Sequence, residues 1–129
     1  MTCEMTWERR GVYKRFAGFV SYEEYARSQE RVLGDPRTDD LRYIINDLRE
    51  MEGYSVTREQ LEYLAAFNRA SSYSNPEVRI AYVTTDLKII LLLKAAALVS
   101  TYPLKAFSTL EAAREWAAEN PRNDNPDLS

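Results

Sequence analysis

The chain has 129 residues with 17 basic and 20 acidic side chains, a net charge of −3, and is 45% hydrophobic and 29% charged. That length fits one domain, the composition is that of a soluble globular protein, and the slight acidic excess speaks against nucleic-acid binding. No histidine is present and Cys3 is the only cysteine, which excludes Ser-His-Asp and Cys-His catalysis, imidazole or thiolate zinc sites, and an internal disulfide.

From the start of the chain, Met1 to Glu8 shows neither a basic segment nor an apolar one, so no signal peptide is expected. Thr6–Arg10 and Val12–Val20 flank Gly11 and predict an antiparallel hairpin with Gly11 as its turn. Ser21-Tyr22-Glu23-Glu24 is a capping box, and Val20 with Tyr25 is positioned as a hydrophobic staple. The first helix is therefore expected from about Tyr22 to Leu33, stopped by Gly34 and Pro36. Arg42–Leu48 is a short β-branched and aromatic run and predicts the next strand. Residues 48–57 are expected to form a loop leading to a second capping box, Thr57-Arg58-Glu59-Gln60, with Val56 and Leu61 as its staple. The second helix is expected from about Arg58 to Tyr73, with Leu61, Leu64, Ala65 and Asn68 on one stripe.

Val78–Thr84 predicts a fourth strand, and Asp86 is placed to cap a third helix from about Leu87 to Thr101. Leu104–Phe107 predicts a last strand, followed by a capping box on Ser108 and a helix over about Leu110–Glu119 whose inner side carries Ala112, Ala113, Trp116 and Ala117. Residues 120–129 have no apolar period and are expected to be a flexible tail after a single domain over residues 1–119. The order β-β-α-β-α-β-α-β-α implies an α/β domain, a mixed five-stranded sheet with four helices packed on it. The most apolar stretch, Ile89–Val99, is interrupted by Lys94 and is shorter than the ~20 residues that cross a bilayer. No membrane span is expected, and the protein is expected to be cytoplasmic.

This order resembles the STAS-type fold of bacterial anti-sigma-factor antagonists, in the SpoIIAA-like branch. The residues that carry the resemblance are Phe16–Ser21, Asp35–Asp47 and Phe107–Trp116. The resemblance implies a non-enzymatic regulatory module working through protein contacts, with no cofactor. Antagonists of this kind carry an Asp-Ser pair in the loop after the central strand, and a partner kinase phosphorylates the serine. Here Asp47 matches the strand-terminal acid but no Asp-Ser pair follows, leaving Ser55 as the candidate modification site and Thr57 beside it.

No carboxylate pair here has the spacing of an EF-hand, and four glycines provide no phosphate-cradling loop, so no catalytic, cofactor or metal residues are assigned. The third helix is apolar around most of its circumference, and Lys88 does not mask Ile90 or Leu93. It is expected to expose apolar area for a protein partner or a second copy of the chain, most simply a homodimer through the second and third helices. The alternative is a small hydrophobic ligand or lipid held between the sheet edge and those helices. The candidate partner or ligand face is Asp47, Arg49, Tyr54, Ser55, Thr57, Ile90, Leu93 and Tyr102, the two tyrosines at its rim.

Overall fold

The computed structural model describes residues 3–57, 59–64, 66, 78–100 and 102–119. Five strands form one sheet in the order β1-β2-β3-β4-β5. β1 (Cys3–Glu8) runs antiparallel to β2 (Gly11–Ser21), and β3 (Tyr43–Ser55), β4 (Arg79–Val83) and β5 (Leu104–Phe107) continue parallel to β2. The helices are α1 (Tyr22–Leu33), α2 (59–64), α3 (Leu87–Val99) and α4 (Leu110–Ala118), with a 3-10 turn over Pro36–Asp40. This is the expected element order.

Alternation along the strands divides the core in two. Val12, Ile80 and Tyr82 point to one face, where they meet Val32 of α1 and Leu93 of α3. Tyr13, Ile45, Ala81 and Val83 point to the other, where Ala113 and Ala117 of α4 bring the helix close. The helix starts follow from their caps. Ser21 and Glu24 complete the capping box of α1, Val20 and Tyr25 share one apolar cluster, and Thr57 and Gln60 exchange hydrogen bonds of 2.8 and 3.1 Å. Asp86 accepts the Lys88 and Ile89 amides at the start of α3.

Four local expectations are corrected. The hairpin turn is made by Arg9 and Arg10, not by Gly11; Arg10 takes the left-handed conformation with φ 61°, while Gly11 begins β2 beneath the Tyr43 ring. The last helix is capped one residue later than expected, by Thr109, whose hydroxyl accepts the Ala112 amide at 3.1 Å. β3 continues seven residues past Leu48, so Tyr54 and Ser55 belong to a strand rather than a loop. Beyond the Asp47–Val83 pair, where β4 ends, β2 and β3 run on as a two-stranded parallel ribbon with Ala17–Ser21 against Glu50–Ser55. Arg15 bridges Glu4 and Glu50 at its base, Leu48 and Met51 pack on Phe16 and Val20, and Gly18 absorbs a bulge at φ 72°. The fourth concerns Tyr102, which is only 7% exposed and lies in the core with Val32 and Leu41. Pro103 accepts the Ile80 amide at 2.9 Å, and that bond draws the chain before β5 inward. The end of the predicted second helix, with Ala65 and Asn68, and the predicted tail lie outside the described residues.

Candidate functional site

The predicted site residues fall into separate groups. Asp47 lies on the α4 side of β3, 2% exposed, and both its carboxylate oxygens are committed. Arg49 donates from its backbone amide, Nε and Nη2 at 3.1, 2.9 and 2.7 Å, and Tyr13 donates its hydroxyl at 2.5 Å. Burial raises the Asp47 pKa, but the Arg49 and Tyr13 hydrogen bonds and the Arg49 charge more than offset it, so the carboxyl is held below its ordinary value. A carboxylate so occupied is a fixed anion at neutral pH and a poor proton acceptor. The Arg114 guanidinium lies 5.4 Å over the Tyr13 ring and pairs with Glu8 at 2.9 and 2.8 Å, while Tyr43 donates to Glu8 at 2.6 Å. The α4 face thus carries a continuous chain of charged and phenolic groups from Arg49 to Glu8.

Asp47→Asn is expected to cost about 2–3 kcal/mol at pH 7, because it leaves Arg49 and Tyr13 without their charged acceptor. Because the folded pKa lies below the unfolded value, the contribution is complete above the unfolded value near ~3.9 and is lost as pH falls through the lower folded one. Urea denaturation at pH 7 and pH 3 checks this; the gap between wild type and variant should narrow at the lower pH.

Ile90 and Leu93 lie on the other side of the sheet, in an apolar groove of about 360 Å³ between α3 and the edge strand β5. Leu104, Ala106 and Phe107 form its opposite wall, and Lys94 and Lys105 also line it. Lys88 was expected to leave Ile90 and Leu93 unmasked; both are half-buried, covered from the β5 side. The open apolar surface belongs instead to Leu87, Leu91, Leu92 and Leu98, which are 76, 67, 41 and 87% exposed. Tyr54 and Ser55 end the β2–β3 ribbon, where Ser55 is exposed and pairs in register with Ser21. Thr57 caps α2, its hydroxyl accepting the Gln60 amide. The structure therefore does not gather the eight predicted residues on one face. No described helix is long and apolar enough to cross a membrane, and the described residues contain no group of three Cys, Asp or Glu able to hold a metal ion.

One unusual residue escaped the reading from sequence. Lys14 of β2 is 1% exposed, with its Nζ donating to Ser28 Oγ at 3.1 Å and lying 5.7 and 5.2 Å from the Phe16 and Tyr25 rings. It is in register with Asn46 of β3 and through it with Tyr82 of β4, whose hydroxyl shares a hydrogen bond of 2.7 Å with Tyr25. Burial pushes the Lys14 ammonium down to about 8. The signal was available in the alternation Val12, Lys14, Phe16, which places the lysine on the parity of two core residues.

No protein-family model matches the sequence, and no curated protein matches it. Solved structures match it in fold. An uncharacterised protein of the DUF3478 family with a SpoIIAA-like fold from Shewanella loihica PV-4 is 13% identical, covers 89% of this chain and 91% of its own length, and has a TM-score of 0.60. The anti-sigma factor antagonist SpoIIAA in its unphosphorylated form is 10% identical, with coverage of 91% and 98% and a TM-score of 0.62. An anti-sigma factor antagonist from Mycobacterium paratuberculosis is 18% identical, with coverage of 92% and 94% and a TM-score of 0.55. The chain has the SpoIIAA-like fold, as the resemblance implied.

Proposed function

We propose that this chain of SpoIIAA-like fold is a non-enzymatic, regulatory protein-interaction module that pairs with a second copy of itself through α3. The observation that carries this reading is the exposure of four leucines on one helix of a small acidic protein. Leu87, Leu91 and Leu98, with Lys94 between them, follow a 4-3-4 spacing, the pattern of a helix seam. Two copies of α3 laid antiparallel about a two-fold axis bring Leu87 of each against Leu98 of the other. Lys94 then faces Leu91, covers it with its methylenes and carries its charge to the rim. The similarity in fold to two anti-sigma factor antagonists supports a regulatory role of this kind.

Within this reading Ser55 is the hydroxyl assigned to regulation by phosphorylation, because it is exposed at the end of the ribbon. Thr57 is kept for the cap of α2. Among the described residues, the α3–β5 groove is the feature that favours a hydrophobic ligand instead.

Sedimentation across about 1–100 μM, with native mass spectrometry of freshly purified protein, tests the reading. A concentration-dependent dimer that Leu91→Glu with Leu98→Glu converts to monomer supports it. A monomer throughout overturns the pairing, and a monomer carrying a lipid-sized adduct assigns the groove to a ligand.

A further inference from the structure

We infer that the open edge of β3 over Glu50–Ser55 receives an extended, basic segment of a protein partner, added to the sheet as a further strand. β3 pairs with β4 only as far as Asp47–Val83, while its pairing with β2 continues to Ser55. The Arg49 amide is taken by the Asp47 carboxylate at 3.1 Å, so the open stretch begins at Glu50. Among the described residues nothing pairs with that stretch on the side away from β2. Glu50–Ser55 spans about 20 Å at ~3.3 Å per residue, and alternate peptide groups along it turn their N–H and C=O outward. A two-stranded ribbon is marginal by itself, so a third strand both completes its ladder and steadies it.

Charge selects what can add there. Arg15 is shared between Glu4 and Glu50, and Arg49 is held by Asp47. The exposed carboxylate of Glu52 is left without an ion pair among the described residues. Exposed edges invite pairing between copies of one chain, and charged side chains are a means of preventing it. Two ribbons laid edge to edge would bring Glu50 and Glu52 of one copy against those of the other, and like charges across a strand pair are unfavourable. The same carboxylates attract a segment that bears lysine or arginine at alternate positions. The acidic ribbon thus rejects a second copy and selects a basic partner. The β5 edge suits such a segment less well, because it is only four residues long and carries the exposed Lys105.

An apolar contact is also in place. Phe19 is an exposed aromatic in register with Gly53. Its ring atoms lie 3.0 and 3.5 Å from where a β-carbon on Gly53 would stand, so the glycine lets the ring lean from β2 onto the β3 backbone. There it offers the incoming strand a face for an apolar side chain, or for the stem and charge of a lysine or arginine. This surface shares no residue with the α3 seam and does not depend on the pairing proposed for it.

The test is titration of the full chain at low salt with capped peptides of about seven residues, read by amide chemical shifts and hydrogen exchange. One peptide alternates lysine with valine, and a second alternates glutamate with valine. Two further forms of the lysine peptide are N-methylated at every valine amide or at every lysine amide. The lysine peptide should shift the Glu50–Ser55 amides and slow their exchange, and the glutamate peptide should not bind. Only one set of alternate amides faces the edge, so one N-methylated form should bind about tenfold or more weakly than the other. These comparisons use the native chain. Glu52→Lys should in addition weaken the lysine peptide by about tenfold while leaving the melting temperature within about 2 °C of wild type. Absence of binding at millimolar lysine peptide, equal binding of the glutamate peptide, or equal affinity of the two N-methylated forms would overturn the proposal. So would shifts centred on β1 or β5, or unchanged affinity in Glu52→Lys.

Discussion

Lys14→Met is expected to stabilise the folded protein by about 2–3 kcal/mol at pH 7, and the gain should fade by about pH 10. The ammonium of Lys14 has three donors, of which Ser28 Oγ takes one at 3.1 Å. Two buried acceptors, Asn46 Oδ1 and Gln29 Oε1, have no hydrogen-bond partner. The Phe16 and Tyr25 faces return part of the lost hydration, on the order of 0.5–2 kcal/mol for such contacts. Desolvation wins, which is why burial brings the folded pKa to about 8 against an unfolded value near ~10.4. Between those two values the unfolded chain binds a proton that the folded chain does not, so this residue's contribution to stability rises with pH. Below about 8 the whole cost of burying the charge is present, roughly 3 kcal/mol for that difference in pKa.

Other groups on the same face act in the opposite sense. The Cys3 thiol and the Tyr25 and Tyr82 phenols are raised, chiefly by burial, so the stability they contribute is lost as pH rises past their unfolded values. A single alkaline melt would mix the two trends. The difference between wild type and Lys14→Met, followed by urea denaturation from pH 7 to 10, cancels them. Methionine fills a similar volume, and Ser28 keeps a partner because its hydroxyl also donates to the Tyr25 carbonyl at 2.7 Å. A variant less stable than wild type at pH 7, with a gap that does not move with pH, would show that the rings and Ser28 outweigh desolvation.

Lys14 also shows where reading from sequence stops. Caps and staples were legible because their physics is local: Ser21 with Glu24, Thr57 with Gln60, and Asp86 with the two amides after it lie within four residues of one another. The apolar surplus of α3 was legible for the same reason, although which leucines remain exposed depends on how β5 packs beside the helix. The ribbon was not legible. Glu50, Glu52 and Gly53 have the composition of a loop, and they become strand because β2 offers an edge past the end of β4. Tyr102 looked like a loop residue after a helix, and a bond between Pro103 and Ile80, 23 positions earlier, puts it in the core. The Glu8–Arg114 pair joins the end of β1 to a helix 106 positions later, a juxtaposition no local pattern carries.

The second large effect is expected at Gly11, and it separates two reasons for a glycine. A β-carbon there would stand 2.0 to 2.4 Å from atoms of the Tyr43 ring, its neighbour in register across the β2–β3 pair. The ring cannot simply swing aside, because its hydroxyl is held by Glu8 at 2.6 Å and Glu8 is in turn gripped by Arg114. Gly11→Ala should therefore cost about 3 kcal/mol by forcing the strands or the ring to move. Tyr43→Ala alone loses ring packing against the α4 face and should cost about 2–3 kcal/mol. In the double variant the added methyl meets the space the ring has left, so the total should fall about 2 kcal/mol short of the sum. Gly18 is the contrast: it has φ 72° and only Glu52 Oε2 near a β-carbon, at 3.9 Å, so the cost of Gly18→Ala is backbone strain of roughly 1–2 kcal/mol. Removing a neighbour cannot relieve that strain, so Glu52→Ala should add to Gly18→Ala without coupling. Urea denaturation of both cycles checks the distinction, and simple additivity at Gly11 and Tyr43 would mean that the close approach of the ring is not what requires a glycine at the start of β2.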